Sequence, residues 1–265
     1  MPELPEVETV ARNVEPHIIH KTISRCEVSW PKTIATPSVE MFQKKIVGQK
    51  VNSVSRRAKF ITIRLGQDSL LIHLRMSGDL VICNQDRAPQ PHDRATIHFT
   101  DETRLVFNDP RKFGRLWLVN DPEVVIGHLG YEPLSPSFTV AILAQVLGSS
   151  HRNIKAFLLD QTQVAGLGNI YTDEALFRAG ILPTRKTNDL SKKEVEQLHF
   201  AIRSVLEVGI AQNGASFDWV YRGGNFQNNF MVYQRNGQPC KICGEKITKA
   251  RLGQRGTHYC LNCQK

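Results

Sequence analysis

Four of the six cysteines lie close to the carboxyl terminus, in two pairs that could bind a metal ion. Two residues separate Cys240 from Cys243, two separate Cys260 from Cys263, and sixteen separate the pairs. Each pair can wrap around a metal on its own tight turn, so that four thiolates surround zinc tetrahedrally. The spacing predicts one structural zinc ion per chain. Buried, reduced cysteines are the alternative.

The segment around these cysteines is strongly basic. Over residues 231–265 a single acid, Glu245, faces seven cations: Arg235, Lys241, Lys246, Lys249, Arg251, Arg255 and Lys265. The whole chain has a formal net charge of +9, which favours a polyanionic partner because each cation set against a phosphate releases a condensed counterion. A small metal-held hairpin of this charge is typical of a DNA-contacting zinc finger. A solvated charged surface could have the same composition.

A turn with two glycines offers a second anion site. Gly166 and Gly168 precede a predicted helix, and the first amide hydrogens of a helix have no partner inside it, so they can hold a phosphate. Lys155 on the preceding helix and Asn169 at the start of the next favour this interpretation. A plain connection between helices is the alternative.

Pro2 and Glu3 could carry imine chemistry at the start of the chain. Initiator methionine is usually removed ahead of a small residue, which would leave Pro2 with a free secondary amine. An α-amino group titrates near 8 and lysine near 10.4, so roughly 10% of the former and under ~0.1% of the latter is neutral at pH 7. Glu3 is then adjacent for proton transfer. The alternative is a helix start whose acids complement the helix dipole.

Three kinds of segment would position these groups. Apolar residues recur at helical spacing after Pro5, whereas from about residue 23 to 120 the period is two, with turns at 66–69 and 100–103. This pattern predicts a helix followed by an antiparallel two-layer sandwich. A connection rich in proline and glycine at 121–136 leads to helices, one of which begins at a capping box of Ser191 and Glu194. Residues 211–230 lack periodicity, which predicts a mobile loop.

The composition excludes several classes of protein. No apolar run reaches the roughly 18 residues that span a bilayer, and the acidic start lacks the positive region of a signal peptide. Cys26 and Cys83 stand far apart in predicted strands, which argues against a disulfide framework. We therefore expect a cytoplasmic protein.

Several ordered motifs resemble the bacterial formamidopyrimidine-DNA glycosylase family, nearly from end to end. They are PELPEVET at 2–9, RRAKF at 56–60, HLRMSG at 73–78, DPRKFG at 109–114, the helix-turn segment at 166–179, and the four-cysteine finger with QRGT at 254–257. The resemblance implies an α+β fold with an N-terminal helix plus two-layer antiparallel β-sandwich, then a helix-two-turns-helix domain and a zinc finger. The implied domains are a catalytic domain at 1–130, a DNA-binding domain with a lesion-capping loop at 131–230, and the finger at 231–265.

The resemblance also implies an activity and its residues. Members excise 8-oxoguanine and formamidopyrimidines from damaged double-stranded DNA through a Schiff base on the N-terminal proline, and then cut the strand by β,δ-elimination. Pro2 would attack the sugar C1′, Glu3 would act as general acid/base, Lys59 would assist elimination and Arg255 would approach the phosphates of the flipped nucleoside. The implied DNA contacts are Met76, Arg111 and Phe113, which would fill the gap left by the extruded base, and His92, Lys155, Asn169 and Tyr233 along the backbone. Residues 148–152 replace a lysine-rich run of the family, and we expect Arg152 to supply the phosphate contact of that run.

The expected protein is a monomer that works in the bacterial cytoplasm on nucleoid DNA. A related endonuclease VIII type, acting on oxidised pyrimidines, is the nearest alternative, but its opening usually carries a glycine where this chain has Leu4. A non-catalytic zinc-finger DNA-binding protein is the other alternative. This chain departs from the family pattern at 148–152, at Arg94, at Gln234 and at 214–219, and these departures bear on the preferred lesion.

Overall fold

The computed structural model describes residues 1–216 and 223–265. It contains two compact units, one formed by residues 1–128 and the other by residues 129–215 and 224–265. Among the described residues no helix combines the length and the apolar character needed to cross a bilayer.

The chain opens into helix α1, Leu4–Ile18, as predicted. Glu3 and Glu6 form a capping box in which the Glu3 backbone N–H donates to Glu6 Oε2 at 2.8 Å. Pro5 lies in the first turn, where a missing N–H breaks no hydrogen bond of the helix. The apolar face of α1 is buried in the core of the first unit. The residues before it are thereby held at a fixed helix start.

The first unit is a two-layer sandwich, which confirms the predicted class. Its elements are β1 Ile23–Val28, β2 Ile34–Thr36, α2 Val39–Ile46, β3 Ser53–Arg57, β4 Phe60–Arg64, β5 Ser69–His73, β6 Asp79–Asn84, β7 Asp93–Phe99, β8 Thr103–Asn108, β9 Arg115–Val119 and the short helix α3 Glu123–Ile126. One sheet has the strand order β1-β7-β8-β6 and the other β2-β9-β5-β4-β3, and side chains from both fill a single core.

One strand pair differs from the antiparallel prediction. The three-residue strand β2 pairs in parallel with β9 at the edge of its sheet. A parallel pair needs a long crossover, and here the connection from β2 to β9 includes all the intervening strands. Alternation in a single strand cannot reveal the direction of its neighbour, so the sequence pattern did not predict this pair.

The two isolated cysteines lie in strands, as predicted. Cys26 belongs to β1 and Cys83 to β6, which are the opposite edges of the four-stranded sheet. Three strand spacings separate them by roughly 14 Å, whereas a disulfide needs Cα atoms within about 7 Å. Burial raises the pKa of the Cys26 thiol to about 12. These cysteines therefore form no disulfide with each other.

The second unit consists of helices and a C-terminal hairpin. Its elements are α4 Val140–Gly148, α5 Ile154–Leu158, α6 Asn169–Arg178, α7 Lys192–Ala211, β10 Thr248–Leu252 and β11 Arg255–Tyr259. Ser191 and Glu194 form the predicted capping box at the start of α7. Gly180 follows α6 with a φ of +70°, a left-handed conformation that ends the helix without a Cβ clash. α6 is buried along nearly its whole length, between α7 and the hairpin.

Part of the predicted mobile loop at 211–230 is ordered. Ala211 still belongs to α7, and Phe226–Asn229 form a 3₁₀ turn. The Phe226 ring is buried and stacks on Tyr171, with 4.9 Å between ring centroids. This contact is not visible in the local sequence pattern. Residues 217–222 of the expected lesion-capping loop lie outside the described residues.

Candidate functional site

Pro2 and Glu3 lie at the amino-terminal end of α1. Both residues are buried, and Glu3 is the N-cap of the helix. The positive end of the helix dipole favours a carboxylate at this position. Sequence reasoning placed a proton-transfer group beside the candidate nucleophile, and the helix start holds that group in place.

Lys59 lies in the turn between β3 and β4, and this turn is attached to α1. Arg56 on β3 donates from Nε to Glu8 Oε2 of α1 at 2.8 Å, and from its Nη1 to the Ala58 carbonyl at 3.0 Å. Ala58 has a φ of +51°, so the backbone just before Lys59 turns sharply. Burial opposes ionisation of Glu8, but its hydrogen bonds with Arg56 and Arg12 lower its pKa below the ordinary value. The Glu8–Arg56 pair therefore connects the helix that carries Pro2 and Glu3 to the Lys59 turn.

A buried histidine next to Lys59 was not singled out by the sequence analysis. His73 ends β5 and pairs in register with Phe60, the residue after Lys59. Burial, and then the cations Arg75 and Lys59, lower its pKa to about 3. Its Nδ1 accepts the Arg75 backbone N–H at 3.0 Å, so the neutral ring carries its proton on Nε2. The signal in the sequence is a histidine that opens the motif HLRMSG.

The three residues predicted to fill the DNA gap lie on two turns joined by Asp109. The fully buried Asp109 carboxylate accepts hydrogen bonds from the Ser77 hydroxyl, from the Arg111 N–H at 3.1 Å and from the Gly114 N–H at 2.7 Å. Ser77 follows Met76, and Gly114 follows Phe113. One carboxylate thus holds both turns.

The tips of these turns expose large apolar groups. Met76 is 37% exposed and Phe113 48% exposed, and the Arg111 guanidinium lies 5.0 Å from the centre of the Phe113 ring. Exposed apolar side chains on adjacent rigid turns suit insertion into a base stack. Met76 and Phe113 are therefore not core residues.

Arg94, one of the departures from the family pattern, holds the segment that carries His92. Its buried guanidinium donates to the Asp109 carbonyl at 2.8 Å and to the Pro91 carbonyl at 3.1 Å, and lies 3.2 Å from His92 Nδ1. His92 itself is exposed. Arg94 therefore orients His92 and attaches its loop to the Asp109 turn.

In the second unit, Lys155 and Asn169 bind the C-terminal hairpin. Lys155 is 1% exposed, and its ammonium contacts Asp173 Oδ1 at 2.6 Å and the Gly256 carbonyl at 3.0 Å. Asn169 Nδ2 donates to the same carbonyl at 2.9 Å. Sequence reasoning placed both residues near the DNA backbone, and in this structure both hold the residue after Arg255.

Tyr233 is held by a second buried carboxylate of α6. Glu174 accepts the backbone N–H groups of Met231, Val232 and Tyr233 at 2.9 to 3.1 Å. Burial raises the pKa of Glu174, and these N–H donors oppose that shift. Sequence reasoning missed Glu174, because its partners lie more than fifty residues further along the chain.

Arg255 and the remaining predicted contacts lie on the surface of this unit. Arg255 is exposed and opens β11 directly after a turn in which Gly253 and Gln254 have φ values of +52° and +64°, as in the tight turns that match hairpin twist. Arg152 pairs with Asp160 at 2.8 Å. An open cavity of about 480 Å³ lies beside the hairpin and is lined by Asn169, Tyr233, Gln234, Asn236, Lys249, Gly256 and His258.

The four predicted metal ligands converge. Their Sγ atoms all lie within 4.8 Å of one another, with 3.8 Å between Cys240 and Cys263 and 3.5 Å between Cys243 and Cys260. Tetrahedral zinc with Zn–S bonds of about 2.3 Å separates its sulfurs by about 3.8 Å. The residues therefore fit one structural zinc ion, which confirms the prediction. A small apolar cluster that includes Phe177, Val232 and Ile247 packs against these cysteines, and metal ligation would add to the stability of so small a hairpin.

The order of elements along the chain defines a class of DNA-repair protein. An N-terminal helix is followed by a β-sandwich, a helix-two-turns-helix unit and a four-cysteine finger. The family model described as "Formamidopyrimidine-DNA glycosylase N-terminal domain" matches residues 1–116, and that of the "Formamidopyrimidine-DNA glycosylase H2TH domain" matches residues 129–219. A third, "Zinc finger found in FPG and IleRS", matches residues 237–265. The chain belongs to the formamidopyrimidine-DNA glycosylase family.

Individual relatives agree over the full length. A formamidopyrimidine-DNA glycosylase of Geobacillus kaustophilus is 42% identical over 274 residues, covering 100% of both chains. The structure of a complex between the Lactococcus lactis protein and DNA containing an abasic site matches with a TM-score of 0.93 and 36% identity, covering 99% of each chain. A structure of MutM with DNA containing carbocyclic 8-oxo-G has a TM-score of 0.93 and 35% identity, covering 100% of each chain.

Proposed function

We propose that this protein is a bifunctional DNA glycosylase and AP lyase that removes 8-oxoguanine and formamidopyrimidines from double-stranded DNA in base excision repair. The observation that carries the proposal is the connection of three groups within the first unit. Pro2 and Glu3 lie at the start of α1, and the Glu8–Arg56 pair joins α1 to the Lys59 turn. A covalent mechanism needs a nucleophile and proton-transfer groups fixed relative to one another.

Pro2 is the nucleophile once Met1 has been removed. With Met1 attached, the Pro2 nitrogen is an amide whose lone pair is delocalised into the carbonyl, and it cannot attack. The free secondary amine adds to C1′ of the damaged nucleoside, and the bond from C1′ to the base breaks with its electron pair leaving on the base. Opening of the sugar ring then gives a Schiff base between Pro2 and C1′, with the proton required by the ring oxygen supplied by Glu3.

Strand cleavage follows from the Schiff base. The imine acidifies the C2′ hydrogens, so that removal of a proton expels the 3′ phosphate, and a second elimination expels the 5′ phosphate. Lys59 and Glu3 assist these proton transfers. His73 stays neutral beside Lys59 because of burial and neighbouring cations, so that it adds no further positive charge there.

Extrusion of the damaged base depends on the residues of the Asp109 turns. The reactive carbon is inaccessible inside a stacked duplex, so the nucleotide must be flipped out. Met76, Arg111 and Phe113 fill the gap, and their exposure on turns fixed by one carboxylate supports this role.

Backbone contacts come from both units. Arg255 binds the phosphates of the flipped nucleoside, and the other proposed direct contacts are His92, Arg152, Asn169 and Tyr233. Because the Lys155 ammonium is bound to Asp173 and Gly256, we assign it an indirect contribution through the hairpin. The functional division follows as a catalytic domain at 1–130, a DNA-binding domain at 131–230 and the finger at 231–265.

We propose a monomer that works on nucleoid DNA in the bacterial cytoplasm. Four thiolates that bind zinc need a reducing compartment, and the net charge of +9 suits a DNA partner. One chain carries every residue assigned above, so the reaction does not require a second copy.

The test is to trap the protein with borohydride on duplex DNA containing 8-oxoguanine and to locate the adduct by mass spectrometry. Protein with Met1 removed should give an adduct on Pro2, and matched protein that retains Met1 should bind the duplex without forming one. An equal yield with Met1 in place, or an adduct on Lys59 alone, contradicts the mechanism. Preferred trapping on oxidised pyrimidines would indicate the endonuclease VIII type, and binding without any adduct a non-catalytic protein.

A further inference from the structure

A fully buried acid on α6 has a role that the proposed reaction does not explain. Asp173 is 0% exposed, and its Oδ1 accepts the Lys155 ammonium at 2.6 Å. Its Oδ2 accepts the backbone N–H of His258 at 2.9 Å and lies 3.3 Å from the ring Nδ1 of the same histidine. Asp173 therefore joins α5 and α6 to strand β11 of the finger.

These bonds hold β11 on both sides of Thr257. His258 is bound directly by Asp173, and the Gly256 carbonyl is bound by Lys155, which Asp173 orients, and by Asn169. Gly256 is the residue directly after Arg255. A two-stranded hairpin is marginally stable by itself, so the direction of an exposed side chain at its turn depends on such external attachments.

His258 also connects Asp173 to Tyr233, a second residue proposed to contact DNA. The residue is 5% exposed, and its ring packs edge-on against the Tyr233 ring, with 5.1 Å between centroids. Both rings line the cavity beside the hairpin. With Nδ1 donating to Asp173, the histidine ring is fixed in the orientation that supports Tyr233.

Buried ion pairs are weak contributors to stability, because desolvation of the two charges offsets much of their attraction. If Lys155 and Asp173 were replaced by two apolar side chains of the same volume, the packing of α5 on α6 would be about equally stable. Directed hydrogen bonds to Gly256 and His258, in contrast, specify where the hairpin lies, and an apolar pair could not make them.

Taking the proposed function as given, we propose that Asp173 and His258 are positioning residues that aim Arg255 and Tyr233 at the DNA backbone. Neither residue touches DNA in this proposal. Asp173 fixes the hairpin through Lys155 and the backbone of β11, and His258 transmits that position to Tyr233.

The first test compares two variants of His258 that separate its hydrogen bond from its ring. His258→Asn keeps a donor near the position of Nδ1 and loses the ring, and His258→Phe keeps the ring and loses the donor. Because the proposal assigns the Nδ1 donor to Asp173 and the ring to Tyr233, we expect each variant to bind duplex DNA carrying a stable abasic-site analogue roughly tenfold more weakly than wild type, the effect of losing one hydrogen bond to a charged group. Wild-type affinity of His258→Phe would show that the bond to Asp173 does not position the ring, and wild-type affinity of His258→Asn would show that the ring does not position Tyr233. Either result would overturn the proposal.

The second test is a double-mutant cycle between Asp173→Asn and Arg255→Ala, read as the dependence of binding on salt. Arg255→Ala should reduce the slope of log K against log salt by about 0.9, the value for one lost phosphate contact. Asp173→Asn should reduce affinity and slope in the wild-type background, and once Arg255 is absent it should leave the slope unchanged and cause a smaller loss of affinity, the part that depends on the uncharged Tyr233. Equal losses in both backgrounds would show general destabilisation and would overturn the proposal.

Two further measurements keep the outcomes separate. Zinc content of each variant should match wild type, whereas Asp173→Asn should unfold at a lower temperature because it leaves the buried Lys155 ammonium without its counter-ion. If Asp173→Asn does not fold, the cycle is run with His258→Phe instead. Loss of zinc in step with loss of affinity would overturn the positioning role. Because the readout is binding, a wild-type protein that binds but forms no borohydride adduct contradicts only the proposed function. Absence of any specific DNA binding contradicts both.

Discussion

Asp109→Asn should impair base extrusion while leaving the chemistry of the first unit intact. The carboxylate is fully buried and accepts hydrogen bonds from Ser77, Arg111 and Gly114. The asparagine amide has the same shape as the carboxylate and keeps one acceptor oxygen. Its NH₂ group replaces the other oxygen and would face either a backbone N–H, which cannot accept a hydrogen bond, or the Ser77 hydroxyl. We expect the free energy of unfolding to fall by about 1–3 kcal/mol, the cost of one unpaired buried hydrogen-bonding group. The turns that carry Met76 and Phe113 would then no longer be held in fixed positions relative to each other.

The assay compares two substrates at matched enzyme concentration. Excision from a duplex containing 8-oxoguanine requires unstacking, which costs a few kcal/mol per base step, whereas cleavage of a pre-formed abasic site requires less. Asp109→Asn should therefore slow the first reaction much more than the second, in the same sense as Phe113→Ala, which removes a wedge side chain directly. Asp86→Asn is the matched control, since it makes the same change at an exposed acid and should alter stability by less than ~0.5 kcal/mol. Equal losses on both substrates, or stability indistinguishable from Asp86→Asn, would refute the reasoning.

Three further predictions concern zinc, pH and backbone strain. Replacing Cys260 with alanine should abolish stoichiometric zinc by metal analysis and unfold the finger, because ligation and folding are coupled; retained zinc would contradict the assignment. Since the pKa of His73 is lowered to about 3, the unfolded state takes up a proton that the folded state does not as pH falls from about 6.5 towards 3, so stability should decline across that window by up to ~1.4 kcal/mol per pH unit. His73→Gln should remove this part of the slope in urea titrations, and an unchanged slope would count against it. Gln234 has a φ of +56°, so Gln234→Gly should exceed Gln234→Ala in stability by on the order of 1 kcal/mol, and equal denaturation midpoints would show that the turn is unstrained.

Elements with a local signature could be predicted from the sequence. The apolar spacing after Pro5 predicted α1, alternation predicted the strands of the sandwich, and the capping box at Ser191 predicted the start of α7. The two cysteine pairs predicted the ligands of a zinc site whose sulfurs do converge. Each of these features depends on residues a few positions apart, so the periodicity of a helix or strand, or the reach of a tight turn, is enough to define it.

The partners that hold the candidate site were decided only by the tertiary structure. Ser77 meets Asp109 across 32 residues, Lys155 meets Asp173 across 18, and Asp173 meets His258 across 85. Sequence reasoning accordingly took Lys155 for a phosphate contact, and the structure places its ammonium in a buried ion pair. No local pattern fixes such pairs, because a buried charge is stable only where distant parts of the chain supply its hydrogen bonds. The sequence determines which groups can do chemistry, and the tertiary structure within each unit determines how those groups are oriented.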